Sequence, residues 1–206
     1  MDHCCPGTTW GAARNGHLDC LRFAVEKGHP WDDDTTYGAA RYGNLECLRF
    51  AAEAGCPWSP NTTWIAACNG HLECLRYVVE AGCPWDDGTT RVAARNGHLD
   101  CLRFAVEAGC PWSAGTTWAA ALNGHLDCLR YAVQKGCPWH PDTTWAAALY
   151  NHHNRCLDWL AAAHAAANAI KAAWKASRQR RVVTLALCMS RLLPGGVSAI
   201  VVGFAR

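Results

Sequence analysis

The sequence predicts an all-α fold, a solenoid of about six stacked helix pairs, and three observations lead to it. The pair Thr-Thr begins at residues 8, 35, 62, 89, 116 and 143, so it returns every 27 residues. Between these pairs lie an alanine-rich stretch and a leucine-bearing stretch, each about the length of a short helix. A Gly-Cys-Pro-Trp break, with His for Cys in one copy, closes each full copy. Short helices cannot cover their own apolar faces, so we expect neighbouring copies to stack.

The period divides the chain into three parts. Residues 1–7 resemble the end of a loop, as at the truncated start of an array, and residues 165–206 form a basic, alanine-rich helix and an apolar tail. The repeats occupy residues 8–34, 35–61, 62–88, 89–115, 116–142 and 143–164. We expect a capping helix over residues 161–176, because the end of such an array would otherwise expose apolar surface.

The first helix of each copy has a start signal and a stop signal. In the fourth copy, Thr89 or Thr90 is expected to cap the helix with its side-chain oxygen. The alanine-rich segment that follows ends at Asn96 and Gly97, and glycine suits the left-handed conformation that stops a helix.

The second helix of the fourth copy is predicted over residues 98–108. Leu99, Leu102 and Val106 recur at the spacing of one apolar helix face, Gly109 stops the helix and Pro111 prevents its continuation. Cys83 and Trp85, in the preceding break, are predicted to plug the space between copies. In the second helix of each full copy, we expect an exposed ion pair between residues three positions apart. The pairs are Asp19/Arg22, Glu46/Arg49, Glu73/Arg76, Asp100/Arg103 and Asp127/Arg130.

The segment AARNGHLDCLRFAVEAG, residues 93–109, resembles the helix-turn-helix of ankyrin repeats. Ankyrin repeats normally run to about 33 residues with a β-turn finger, so the 27-residue period implies a finger shortened to the Cys-Pro-Trp loop. This short variant resembles the ankyrin-type arrays of giant DNA viruses and some protists. The resemblance implies a non-enzymatic solenoid that mediates protein–protein interaction, acting as a viral adaptor with a host or cellular protein as partner.

Fourteen cysteines and ten histidines raise the alternative of a zinc protein. Closed zinc sites usually draw ligands from C-x2-C or H-x3-H pairs, and no C-x2-C pair occurs in this sequence. The cysteines recur singly at the repeat period, and stacked helices lie roughly 8–10 Å apart, which is too far for equivalent thiols to share a metal. We therefore expect buried, apolar cysteines, no metal and no cofactor.

The histidines follow the repeat as well. His17, His71, His98 and His125 come directly after the glycine turn, where the resemblance implies hydrogen bonds to neighbouring loops, and Asn44 takes this place in the second copy. The pair at residues 152 and 153 fits a final turn with one extra residue. Because no nucleophile elbow, phosphate loop or carboxylate pair occurs, we expect no catalytic residue and no small-molecule substrate.

Positions that differ between copies are free to specify a partner, whereas positions that are identical are explained by stacking. The resemblance implies that the first helix and the loop face the binding groove, so the expected partner-binding residues lie there. They are Trp10, Tyr37, Trp64, Arg91, Trp118 and Trp145 after the Thr-Thr pair; Arg14, Arg41 and Arg95 four positions later; and Asp32, Asp33, Asp86, Asp87 and His140 in the loops.

Two hypotheses compete for the tryptophan column of the first helices. Aromatic and arginine side chains are frequent binding hot spots, but these rings could equally pack between neighbouring first helices. Arg91 stands in the same column and favours exposure, because arginine is rarely buried without a partner.

The alternative function is binding of nucleic acid or an anionic membrane through the basic tail. Residues 1–164 carry 12 basic and 17 acidic side chains, whereas residues 165–206 carry seven basic and no acidic ones. Residues 182–204 are long enough to cross a bilayer, but Arg191 and Pro194 interrupt them. No signal segment precedes the repeats, so we expect an intracellular protein, cytoplasmic or nuclear, with reduced thiols.

Overall fold

A computed structural model describes residues 8–113, 115–139, 141–162 and 165. The chain divides into two units, residues 1–158 and 159–206, and the described part of the second unit is a short helical stretch. In its described residues the first unit has no strand; it contains a helix that begins at residue 154 and, before it, eleven complete helices. These are α1 Thr9–Asn15, α2 Leu18–Glu26, α3 Thr35–Tyr42, α4 Leu45–Glu53, α5 Thr62–Cys68, α6 Leu72–Glu80, α7 Thr89–Arg95, α8 Leu99–Glu107, α9 Thr116–Leu122, α10 Leu126–Gln134 and α11 Pro141–Tyr150.

The helices form two layers, as the 27-residue period predicts. The odd-numbered helices, one from each copy, pack against one another in order from α1 to α11, and the even-numbered helices from α2 to α10 do the same. Each odd-numbered helix also contacts the even-numbered helix of its own copy along α1 to α10. The predicted array of helix pairs is therefore confirmed, while the predicted helix over residues 161–176 lies almost wholly outside the described residues.

The core between the layers is built from small side chains. Each first helix buries at least two consecutive alanines, such as Ala93 and Ala94, at 0–5% exposure, and each of the helices α2, α4, α6, α8 and α10 buries a leucine at 0% exposure, such as Leu102. Alanine lets helix backbones approach closely, which allows seven-residue helices to stack tightly. The predicted apolar stripe is shifted, because Leu99 and Val106 are only half-buried.

The glycine turns explain why histidine recurs at the start of the second helices, because each turn leaves room for the ring of the next copy. Gly97 has φ +78°, and a Cβ at this position would lie 2.5 Å from Nδ1 of His125 in the next copy. Two copies before His125, His71 Nε2 lies 3.1 Å from the Arg41 carbonyl oxygen, and three copies before it, Asn44 Nδ2 donates to the Ala13 carbonyl at 2.9 Å. The predicted hydrogen bonds to neighbouring loops are therefore confirmed at these positions, and each one joins two copies.

The sixth copy keeps this contact despite its extra residue. His153 Nε2 lies 3.0 Å from the Leu122 carbonyl oxygen, and a Cβ on Gly124 would meet the His153 ring at 2.6 Å. His152 takes the left-handed place of the glycine, with φ 57°. The interpretation of this pair as a final turn with one extra residue is confirmed.

The expected threonine cap is wrong for the fourth copy. Helix α7 begins at Thr89, Gly88 is its N-cap, and no side chain caps it. The threonine hydroxyls instead point into the layer, where Thr63 Oγ1 accepts a hydrogen bond from Asp86 N at 3.1 Å and donates to the Pro84 carbonyl at 3.3 Å. A side-chain cap does occur in α1, where Thr8 Oγ1 accepts from Gly11 N.

The ion pairs predicted on the second helices are largely absent. Of the five pairs, all within the described residues, only Arg76 and Glu73 approach closely, at 3.8 Å between Nε and Oε1. Four of the five arginines lie over aromatic rings of the following copy, at 5.1 to 5.7 Å from the ring centroids. These contacts are Arg22 on Phe50, Arg49 on Tyr77, Arg76 on Phe104 and Arg103 on Tyr131. A ring 28 residues away outcompetes an exposed carboxylate because the ring is a fixed neighbour.

Candidate functional site

The candidate site is the outer side of the first-helix layer, called here the first-helix face. Each of its helices contributes two positions four residues apart, which lie next to each other on a helix surface. The pairs are Trp10/Arg14, Tyr37/Arg41, Trp64/Cys68, Arg91/Arg95 and Trp118/Leu122. All ten residues are half-buried or exposed, whereas the alanines on the opposite side of the same helices are buried.

In the first two copies, arginines and aromatic rings of the first-helix face contact one another. The Arg14 guanidinium lies 5.2 Å from the Trp10 ring centroid and 5.4 Å from that of Tyr42. Arg41 lies 5.7 Å from the Tyr42 ring, and its Nη1 donates to the Tyr37 hydroxyl at 3.5 Å. The guanidinium groups keep most of their hydrogen-bond donors free for a ligand, because ring contacts use the flat side of the group.

In the third and fourth copies the face changes from aromatic to cationic. The Trp64 ring covers Gly88, the last residue of its own copy, where a Cβ would lie 3.1 Å from Trp64 Cδ1. The adjacent Cys68 Sγ accepts a hydrogen bond from Asn96 Nδ2 at 3.2 Å. Arg91 and Arg95 are both exposed, and neither forms an ion pair within the described part of the chain.

In the fifth and sixth copies the face is apolar. Trp118 is 42% exposed, Leu149 is 48% exposed and Tyr150 is 81% exposed. The side chain of Trp145 and the whole of His140, both predicted to bind a partner, lie outside the described residues. The face therefore passes from arginine and aromatic groups at one end to apolar groups at the other.

The loop aspartates divide into two kinds. Asp32 Oδ2 accepts hydrogen bonds from Trp10 N at 2.8 Å and lies 2.9 Å from Thr9 Oγ1, while Asp86 Oδ1 accepts from Gly88 N at 2.7 Å. Their neighbours Asp33 and Asp87 are exposed. The sequence did not predict the hydrogen bonds of Asp32 and Asp86, because the loops vary between copies and a repeat comparison assigns variation to the partner.

The loop tryptophans are not the plugs that the sequence predicts. Cys83 is buried, at 5% exposure, and this part of the prediction is confirmed. Trp85 is only half-buried, and its ring leans against Phe104 of the next copy with 6.4 Å between the ring centroids and a tilt of 53°. The small thiol fits between the copies, whereas the large ring lies at the edge of the joint.

The cysteines are placed as structural residues. Burial raises the pKa of the Cys74, Cys83, Cys101 and Cys110 thiols to about 11, so these groups are neutral at physiological pH. A neutral thiol is a poor nucleophile and a poor metal ligand. Among the described residues, no group of three His, Cys, Asp or Glu side chains is arranged to hold a metal ion.

The fold is that of an ankyrin repeat solenoid. No protein-family model matches the sequence, and a search of curated proteins finds no significant match. A search of solved structures finds 156 matching chains, among them the ankyrin repeat domain of human ASB11. The TM-score to that domain is 0.64 at 17% sequence identity, over 74% of this chain and 81% of the other. No helix in the described part is both long and apolar enough to cross a membrane.

Proposed function

We propose that this chain is a non-enzymatic scaffold that binds another protein through the first-helix face and the exposed loop positions beside it. One observation carries the proposal. The helices that stack through constant, buried alanines present variable aromatic and arginine side chains on their other side. These are the residue types enriched in binding hot spots. Proteins with the ankyrin fold typically act as interaction scaffolds, which supports the same function.

The finer assignment rests on the resemblance noted from the sequence. We propose an intracellular adaptor with a host or cellular protein as its partner, because the short repeats resemble the arrays of giant DNA viruses and some protists. The first-helix positions predicted from the sequence, among them Trp64, Arg91 and Trp118, are the proposed contacts, together with the exposed Asp33 and Asp87.

Substitution on the two layers tests the proposal. Trp64→Ala, Arg91→Ala and Trp118→Ala are expected to weaken capture of the partner by the full chain, each by about tenfold or more, as hot-spot truncations do. Arg130→Ala is the matched control, because Arg130 is exposed on the second-helix layer. Capture is measured by affinity isolation with quantitative mass spectrometry, and the helical circular dichroism of each variant is compared.

Two outcomes would count against the proposal. Unchanged capture by all three variants would remove the first-helix face as the binding surface. Loss of helical signal in Trp64→Ala and Trp118→Ala, with normal capture by Arg91→Ala, would instead support packing as the role of the tryptophans.

A further inference from the structure

We propose that the segment bound by the first-helix face is acidic and extended, with carboxylates at intervals of about three residues. This inference rests on the proposed function, because it names the chemistry of the partner for the same surface. It follows from the charges of the face, the spacing of its arginines and the apolar residues at one end.

The first helices of the five full copies contain no acidic side chain that could pair with the arginines of the first-helix face. Helices α1, α3, α5, α7 and α9 contain four arginines and no aspartate or glutamate. All four, Arg14, Arg41, Arg91 and Arg95, are exposed, and no ion pair to any of them occurs in the described part of the chain. In α2, α4, α6, α8 and α10, by contrast, every arginine follows an acidic residue by three positions. The unpaired guanidinium groups are therefore available to carboxylates from outside the chain.

The spacing of the arginines sets the spacing of their ligands. Arg14, Arg41 and Arg95 occupy the same position in the last turn of their helices, so they lie one and two stacking steps apart. Stacked helices are roughly 8–10 Å apart. A polyproline II segment has three residues per turn and rises about 3.1 Å per residue, so side chains three apart point the same way at about 9 Å. Acidic residues three and then six positions apart match this row.

The surroundings of the row favour a peptide over a nucleic acid. Asp33 and Asp87 are exposed in the loops that lead into the first helices, where they repel phosphates and carboxylates alike. A phosphate backbone carries a charge at every nucleotide and cannot avoid them, whereas a peptide with spaced carboxylates can place uncharged residues beside these loops. At the other end of the row, Trp118 and Leu149 are 42% and 48% exposed. A segment that carries an apolar side chain beyond its acidic residues can bury this patch, which a phosphate chain cannot do.

Binding of designed peptides to the full chain tests the inference. The probe is a fluorescent, proline-rich peptide with glutamate at every third position and Leu-Phe at one end. The reference peptide has the same composition with its glutamates adjacent, and a thymidine oligonucleotide of similar length represents nucleic acid. We expect the spaced peptide to bind about tenfold more tightly than the reference peptide, and more tightly than the oligonucleotide.

Charge-matched variants locate the binding on the chain. Arg95→Gln and Arg41→Gln are each expected to weaken binding of the spaced peptide about tenfold, whereas Arg130→Gln, which removes the same charge from the second-helix layer, leaves it within twofold. Equal binding of the two peptides, tighter binding of the oligonucleotide, or equal loss in Arg130→Gln would overturn the inference. If any of these results accompanied loss of partner capture in Arg91→Ala, the proposed function would stand and only the acidic character of the partner would fail.

Discussion

At the scale of single residues, the joints between copies depend on side chains that the repeat pattern marks but does not explain. The second threonine of each pair, such as Thr63, binds through its hydroxyl the loop that closes its own copy and leads into the next. The first threonine of the fourth copy, Thr89, is equally buried, but its Oγ1 has no hydrogen-bond partner within the described residues. Two threonines that look equivalent in the sequence are therefore expected to contribute differently to stability.

Replacement of each hydroxyl by a methyl group measures this difference. Thr63→Val leaves Asp86 N and the Pro84 carbonyl without their partner, so we expect a loss of about 1–3 kcal/mol in the free energy of unfolding. Thr89→Val removes a buried polar atom that has no partner, so it is expected to leave stability unchanged or to raise it by about 1 kcal/mol. Urea unfolding followed by circular dichroism gives both values, and equal losses would contradict the assignment.

The glycine turns offer a second pair of matched positions. Gly97 and Gly109 both have positive φ, +78° and +85°, so alanine at either costs about 1–2 kcal/mol for the left-handed backbone. A Cβ at residue 97 would also displace the His125 ring, whereas a Cβ at residue 109 meets nothing within 4 Å. Gly97→Ala is therefore expected to be the more destabilising in urea unfolding, and the opposite order would argue against the histidine contact as a joint.

At the scale of helices, the second-helix layer is joined by contacts between arginines and rings of successive copies. Four such contacts recur at the repeat period, with Arg22 on Phe50 at 5.6 Å as the first. An exposed cation–π contact contributes about 0.5–1 kcal/mol. A column of them therefore adds to the stacking that the buried leucines provide.

A double-mutant cycle isolates one of these contacts. Arg22→Ala, Phe50→Leu and the double variant are expected to give a coupling energy of about 0.5–1 kcal/mol in urea unfolding. The pair Arg130 and Phe50, which form no contact in the described residues, serves as the control cycle. A coupling energy near zero for Arg22 and Phe50 would show that the ring contact does not join the copies.

The positions of the helices could be predicted from the sequence, but the contacts that their side chains make with distant residues could not. The bounds of α8, Leu99–Glu107, lie one residue inside the range of 98–108 that the sequence predicts. The glycine stop and the apolar spacing are local signals, so one copy contains enough information to place them. The hydrogen-bond partners of Thr63 and the ring partner of Arg103 lie 21 to 28 residues away along the chain, and a local pattern contains no information about them.

At the scale of the whole molecule, the buried thiols predict sensitivity to alkaline pH. Burial raises the pKa of Cys74 and Cys101 from 9.0 to about 11, so the folded state keeps these protons where the unfolded chain releases them. The free energy of unfolding is therefore unaffected by them below pH 9 and falls as the pH rises from 9 towards 11.

Comparison with a variant separates the loss of stability caused by these thiols from that caused by other groups that titrate in the same pH range. Unfolding free energies of the wild type and of Cys74→Ala/Cys101→Ala are measured in urea at several values between pH 7.5 and about pH 10.5, the range in which thiols titrate. We expect the double variant to lose less stability with rising pH. Parallel curves for the two proteins would mean that these thiols do not titrate differently on unfolding.

The array as a whole was predictable because one period governs most of the chain, but the comparison of copies outlines only a candidate binding surface. Comparison of copies correctly separates the buried alanines from variable, solvent-facing positions such as Arg91 and Trp118. It also assigned Asp32 and Asp86 to the partner, although both carboxylates accept hydrogen bonds within the chain. Variation between copies thus reflects differences within the joints as well as differences presented to a partner.

The central claim is that the first-helix face is the surface that meets the partner, and site-specific photo-crosslinking in cells tests it most directly. A photoreactive amino acid is placed at residue 91 or 118 on the first-helix face, or at residue 103 or 130 on the second-helix layer, each exposed to solvent. The account predicts covalent adducts with one common protein from residues 91 and 118 and none from residues 103 and 130. Adducts from the second-helix positions alone would contradict it.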